Sequence, residues 1–277
     1  MTSNFKRLAW VLTGSVVLMS CERVIDLDVG ENASLPVMSF RLNVDSGQIL
    51  GTISQSVSYF SPEVPETILD ATVDLVAPDG TVIPVPSQSL SGFYVSQEVG
   101  EVFADGSPAR LEVTIDGTTY SASNRAPEGV LRLDSLEVLE LPDFGFGPPI
   151  PEDSLVQDYQ IICHFPASSE SHNLLIEYFV NGEPETNIIQ VLKTTPNVAA
   201  TFPLGWNQRF FQPGESVLVW AWTISESSYD YWLALGNIAG SAGPGGVPGN
   251  PPNHWDKEAL GHFTVGRLDV AEVMIPE

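Results

Sequence analysis

Residues 111–120, LEVTIDGTTY, contain the clearest β-hairpin pattern in the sequence. Apolar and polar residues alternate from Leu111 to Ile115, as in a strand that buries one face. The dipeptide Asp116-Gly117 follows, which is typical of a two-residue hairpin turn, and the strand pattern then resumes through Tyr120. This stretch predicts antiparallel β-structure around it.

Short β-type runs continue upstream of this hairpin. Ala71–Ala77 ends at the turn Pro78-Asp79-Gly80, and Val82–Val85 returns from that turn as a hairpin partner. About seven such runs lie within roughly ninety residues, with a turn about every 8–12 residues, and this spacing is typical of an immunoglobulin-like sandwich.

A proline-containing segment, residues 124–129, is the best candidate for a domain boundary. Strand-like runs resume beyond it and end with 259–265 and 268–275. We therefore predict an all-β protein with two antiparallel β-sandwich (immunoglobulin-like) domains, residues 35–127 and 128–277.

One short helix is predicted within the second domain, over residues 226–238. Ser225 can cap its N-terminus, and Tyr229, Trp232 and Leu233 recur at helical spacing on one face. Because so short a helix is only marginally stable in isolation, we expect its aromatic face to pack on the sheet of the second domain.

The N-terminal residues form a targeting segment. The apolar run Leu8–Met19 follows two positive charges and is too short to span a bilayer. Leu18-Met19-Ser20-Cys21 resembles the lipobox of bacterial lipoproteins, which implies cleavage before Cys21 and its acylation by palmitate-type chains. We therefore expect a signal peptide at 1–20 and a tether at 21–34. The alternative is an ordinary signal peptide with an incidental cysteine.

The chain is strongly acidic, with 35 Asp+Glu against 11 Lys+Arg and a net charge of −24. Cleavage before Cys21 removes Lys6 and Arg7, which makes the charge two units more negative. A nucleic-acid partner is excluded, because phosphate contacts need a basic face. Attachment to membrane is expected through the N-terminal lipid at the outer membrane, with the periplasmic or cell-surface side left open.

Cys163 is the second of only two cysteines. If Cys21 carries lipid, Cys163 has no intramolecular partner and no internal disulfide forms. Cys163 lies in the apolar run 159–165, which predicts a buried, unreactive thiol. A catalytic thiol beside His164 is the alternative, although adjacent residues of a strand point to opposite faces.

The order of several short motifs resembles one family of bacterial lipoproteins. The motifs are Val24-Ile25-Asp26-Leu27 after the cysteine, Gly92-Phe93-Tyr94, Gly117–Ala122, Ser225-x-x-x-Tyr229-x-Tyr231-Trp232, and Asn250–Asn253 before Ala259–Phe263. Together they are similar to the family known as domain of unknown function 4249. This resemblance implies a lipoprotein that accompanies a TonB-dependent outer-membrane transporter, and it transfers no catalytic residues. The chain departs from the family at residues 253–256 and at His262, where a tyrosine is expected.

No recognisable catalytic or metal-binding motif is present, and we expect no catalysis, no cofactor and no metal. His254, Asp256 and His262 could meet as a metal-like trio only if the fold brings them together. Residues 240–253 contain five glycines and four prolines, so this loop is either functional or disordered. Exposed tryptophans beside loops suit ligand or protein contacts.

The candidate binding residues therefore lie at the end of this loop, directly after it, and in one turn: Asn253, His254, Trp255 and Trp206. We expect a lipid-anchored binding or accessory protein. A structural or adhesive surface protein with spacer sandwiches is the alternative, and a hydrolase with a spatially assembled site is the third hypothesis.

Overall fold

The structure is a computed structural model. The residues that it describes are 34–57, 63–88, 92–98, 103, 106–141, 158–185, 189–205, 210–240 and 250–277. The predicted signal peptide, Cys21, almost all of the tether and Trp206 lie outside these residues. Within the described part of the chain, no helix has the length and apolar character needed to cross a membrane.

The described residues form strands and one helix, α1. Their bounds are β1 Pro36–Asn43, β2 Gln48–Gln55, β3 Thr72–Val76, β4 Val82–Pro84, β5 Ser87–Gln88, β6 Phe93–Val95, β7 Ala109–Ile115, β8 Thr118–Asn124, β9 Ser135–Glu140, β10 Tyr159–Phe165, β11 Asn173–Val180, β12 Glu183–Pro184, β13 Gln190–Lys193, β14 Ala200–Pro203, β15 Ser216–Ile224, α1 Glu226–Gly240 and β16 Phe263–Met274. This confirms the prediction of an all-β, sandwich-like fold with one short helix.

The strands form three sheets. The largest has the order β12-β11-β15-β16-β1-β2-β6-β5, with β13 pairing on β11. The second has the order β4-β3-β7-β8, and the third β14-β10-β9. The predicted 111–120 hairpin is the β7–β8 pair. Its turn residues Asp116 and Gly117 have φ values of 47° and 77°, the double positive φ of a type I′ turn.

One long-range pairing joins the N-terminal and C-terminal strands. β1 pairs with β16 in parallel, with Phe40 opposite Phe263, while β15 pairs with the second half of β16. Both neighbours meet at Gly266, where a Cβ atom would lie 2.6 Å from the Thr223 carbonyl oxygen. The separate strands predicted at 259–265 and 268–275 are therefore wrong. Phe263–Met274 form one continuous strand, and Gly266, which has no side chain, lets it pass close to the backbone of β15.

Residues 34–277 form one compact unit with two main hydrophobic cores. The first core contains residues from Met38 to Ala126, and Trp255 and Phe263 join it from the far end of the chain. The second core begins at Leu131. The change from the first core to the second thus falls at the predicted boundary segment. The largest sheet, however, contains strands that precede this segment and strands that follow it. The assignment of two separate domains stays a prediction.

Helix α1 begins where the sequence predicts. The backbone N–H of Ser228 donates to Ser225 Oγ at 3.3 Å, which caps the first turn. Tyr231 and Trp232 are buried with Trp222 of β15, so the helix covers one end of the large sheet. Leu233 is 39 % exposed, and its predicted place on the packed face is wrong. Tyr231, two residues earlier, is buried instead.

Candidate functional site

Asn253 and Trp255, two of the predicted binding residues, make their contacts within the fold. Trp255 is only 5 % exposed and packs into the first core, so the expectation that its indole forms an exposed contact surface is not met. The Asn253 side chain organises the turn: its Oδ1 accepts from the Trp255 backbone N–H at 3.0 Å, and its Nδ2 donates to the Lys257 carbonyl at 3.0 Å. Neither residue offers an open stacking platform.

His254 joins two segments of backbone. Its Nδ1 lies 3.2 Å from the Phe263 backbone N–H and therefore accepts a hydrogen bond. The proton must then reside on Nε2, which donates to the Ser123 carbonyl at 3.2 Å. Burial lowers the pKa of His254, although the bond to Ser123 opposes this shift. The neutral imidazole thus links β8 to the first residue of β16 through two hydrogen bonds.

His262 is held in a stack of three rings. Its ring lies 4.0 Å from that of His254 and 4.6 Å from that of Tyr231, with both pairs nearly parallel. Its Nε2 is 3.0 Å from Ser228 Oγ. Burial, together with the neighbouring His254, lowers the pKa of His262 to about 2. This imidazole is therefore neutral at any physiological pH.

A hydrogen-bond network surrounds Ser228. Asn124 Nδ2 donates to Ser228 Oγ at 2.9 Å and to the Phe263 carbonyl at 2.8 Å. Ser225 Oγ lies 3.0 Å from Ser228 Oγ and 3.1 Å from Asn124 Oδ1, and its single hydrogen serves one of these two acceptors. The arrangement resembles a catalytic Ser–His pair, but Ser228 is fully buried and cannot meet a substrate.

The metal-like trio of the sequence does not assemble. Both nitrogens of His254 are used by backbone groups. Asp256 Oδ1 instead accepts from the Ser121 backbone N–H at 2.7 Å. No group of three or more His, Cys, Asp or Glu side chains suited to a metal ion occurs among the described residues.

Cys163 is buried, as predicted from its apolar run. Burial raises the pKa of its thiol to about 12. The neighbouring His164 faces the opposite side of β10, where its Nε2 lies 2.8 Å from Glu137 Oε2. The alternation of the strand thus separates the thiol from the imidazole.

An open groove of about 360 Å³ lies beside α1. We call it the linker groove, because residues 125–129 between the two cores form one wall. A second wall is the turn 170–173 that leads into β11, and a third is 223–226, where β15 ends and α1 begins. Neither His254 nor His262 lines it.

His172 is the most buried titratable side chain of the linker groove, at 7 % exposed. Its Nε2 lies 2.8 Å from Ser168 Oγ, and its backbone N–H donates to Thr194 Oγ1 at 2.9 Å. A Cβ atom on Gly129 would lie only 3.0 Å from the ring, so this wall fits closely against the imidazole. Sequence reasoning missed this site, since His172 and the linker are about forty residues apart and no motif relates them.

No protein-family model matches the chain, and no curated protein matches it. Among solved structures, the chain is similar to the crystal structure of a DUF4785 family protein from Legionella pneumophila, at 14 % identity and a TM-score of 0.21. That match covers 66 % of this chain and 49 % of the other, so the chain spans about half the length of the matched protein.

Proposed function

We propose that the protein is a lipid-anchored outer-membrane accessory lipoprotein, held by Cys21, that binds a TonB-dependent transporter and performs no catalysis. The lipobox-like sequence at residues 18–21 supports the anchor, and the resemblance to domain of unknown function 4249 supports the choice of partner. The observation that carries the binding role is an exposed apolar surface on the largest sheet.

This surface, the apolar face, consists of side chains from three adjacent strands: Phe179 of β11, Leu218 and Trp220 of β15, and Val270 and Met274 of β16. The strand register places them on one side of the sheet, because Phe179 pairs with Leu218 and Trp220 pairs with Val270. Val270 is 50 % exposed and Met274 is 60 % exposed. The rings of Phe179 and Trp220 lie 4.7 Å apart.

Helix α1 covers only the other end of the same side. It packs over Leu175, Trp222 and Leu268, which form the row next to Trp220 and Val270. Beyond the helix, Val270 and Met274 are exposed, and Phe179, Leu218 and Trp220 are half-buried. The register also places Glu177 opposite Trp220 and Glu272 opposite Leu218, so two carboxylates flank the apolar side chains on this side of the sheet. An exposed apolar patch rimmed by polar residues marks an interaction site, and tryptophan is enriched at the centre of such sites.

Charge indicates the kind of partner. Glu272 lies directly beside Leu218 on the apolar face, and the chain as a whole carries −24. The nearby Arg41 is already paired with Glu177 at 2.6 Å. A second copy of this chain would bring like charges together, and an anionic lipid surface would be repelled. The fitting occupant is a protein with an apolar patch rimmed by lysine or arginine, which we assign to the transporter.

Site-specific photo-crosslinking in whole cells tests this assignment. A photoreactive residue replaces Val270, and the matched control replaces Val82 of β4, an exposed valine of a different sheet that is 57 % exposed. We expect an adduct at position 270 that contains an outer-membrane transporter by mass spectrometry, and none at position 82. Absence of a transporter adduct at 270, or equal adducts at both positions, overturns the partner assignment and favours a spacer role.

The anchor has a separate test. Cells fed with radiolabelled palmitate should label the protein, and Cys21→Ala should abolish both the label and membrane recovery. Labelling that persists in the Cys21→Ala variant, or a wild-type protein without label, contradicts lipid attachment at this residue.

A further inference from the structure

The linker groove carries more negative than positive charge. Glu128 and Glu170 line it, are exposed, and form no ion pair with other described residues. Glu226 also lines it, and its Oε1 forms an exposed ion pair with the Lys193 ammonium at 3.1 Å. Arg125 is the only basic side chain among the described lining residues apart from His172. Two unpaired carboxylates against one guanidinium favour a cationic ligand over an anionic one.

The same groove contains polar atoms without partners. The buried Oδ1 of Asn173, which lines the groove, accepts no hydrogen bond from the described residues. His172 uses Nε2 for Ser168, and its Nδ1 makes no hydrogen bond within the described part of the chain. An unsatisfied buried polar atom costs about 1–3 kcal/mol, so a hydrogen bond donated to Asn173 Oδ1 recovers part of that cost.

The Glu170 carboxylate and the His172 imidazole both approach Gly129. A Cβ atom placed on Gly129 would lie 3.8 Å from Glu170 Oε2 and also 3.8 Å from His172 Nδ1. The carboxylate and the imidazole therefore face the same wall of the groove. With a volume of about 360 Å³, the groove lies at the lower end of the range for small-ligand sites.

We propose that the linker groove binds a small organic cation, a guanidinium or primary ammonium group, through Glu128 and Glu170, with His172 and Asn173 as further hydrogen-bond partners. The group comes either from an arginine or lysine side chain of another protein or from a free polyamine. A divalent metal ion fits less well, because no convergent set of three ligands is found among the described residues. The inference does not depend on the lipid anchor or on the transporter.

Calorimetry with butylguanidinium tests the proposal, and butylurea is the matched neutral probe because it has the same shape without the charge. We expect binding of the cation with release of heat, a shift of the His172 imidazole resonance in NMR spectra, and no response to butylurea. Glu170→Gln and Glu128→Gln should each weaken binding about fivefold to tenfold, which corresponds to about 1 kcal/mol. Glu258→Gln, an exposed carboxylate outside the groove, should leave it unchanged.

Two further titrations identify the source of the cation. Tighter binding of an arginine-containing peptide than of spermidine supports a protein side chain, whereas the reverse order supports a free polyamine. The proposal is overturned if butylguanidinium gives neither heat nor a His172 shift, if butylurea binds equally well, or if Glu170→Gln and Glu258→Gln bind like the wild type.

Discussion

The His262 imidazole makes the stability of the protein depend on pH. It is 2 % exposed and stacked between two rings, and its Nε2 lies 3.0 Å from the buried Ser228 Oγ. Protonation would place a charge in the core beside His254, with no carboxylate among its described contacts. The fold therefore holds the pKa of His262 at about 2, whereas an unfolded histidine has a pKa of about 6.5.

The size and sign of the effect follow from proton linkage. Because the folded pKa lies below the unfolded one, the unfolded chain binds more protons below pH 6.5. The stabilising contribution is complete above about pH 6.5 and is lost as the pH falls toward about 2. At pH 4.5, two units below the unfolded pKa, the loss from this one group is about 3 kcal/mol, at 1.36 kcal/mol per unit.

Urea unfolding followed by tryptophan fluorescence measures this loss at pH 7.5 and pH 4.5. The free energy of unfolding of the wild type should fall by about 3 kcal/mol more than that of His262→Gln, in which the titrating group is gone. His164→Gln is the control, since His164 lies at the surface beside Glu137, and it should behave like the wild type. His262→Phe replaces the glutamine variant if the latter does not fold. Equal losses in wild type and variant would refute the reasoning.

Four further substitutions or modifications have defined outcomes. Gly51→Ala should destabilise by about 1–3 kcal/mol in urea unfolding, because the new Cβ would lie 2.0 Å from the Phe40 ring. Gly236→Ala, in mid-helix with its nearest contact at 3.6 Å, should instead stabilise by about 1 kcal/mol in the same assay. Asn124→Ala should cost about 2–4 kcal/mol by leaving buried polar partners unsatisfied, measured as a lower melting temperature. Cys163 should react with a thiol reagent only after unfolding, as mapped by mass spectrometry, because its pKa is about 12.

Local patterns in the sequence determined individual elements. The alternation in residues 111–115 and the turn at Asp116-Gly117 define β7 and β8 without help from distant residues. Ser225 and the aromatic spacing likewise define α1. Such signals are readable because side-chain direction follows a fixed period in each structure, and because turn and cap residues act on their own backbone.

The candidate site was less accessible to sequence reasoning. Trp255 beside a glycine-rich loop indicates an exposed contact residue, yet it is buried because the chain before β16 folds back onto the first core. His172 gave no local signal, since its partners in the linker groove come from three separate segments. Burial of an aromatic residue in a connecting segment depends on which surface the segment meets.

The sequence by itself determined that the chain is a strongly acidic all-β protein with one capped helix and a lipobox-like start. Only the tertiary structure decided that β1 pairs with β16 across about 220 residues, that His254 and His262 stack as neutral rings, and that the linker groove exists. The physical reason is that strand periodicity specifies which face of a strand is buried, but not which strand lies beside it. Pairing between distant strands depends on how well the faces of the two strands fit their neighbours once the intervening chain has folded.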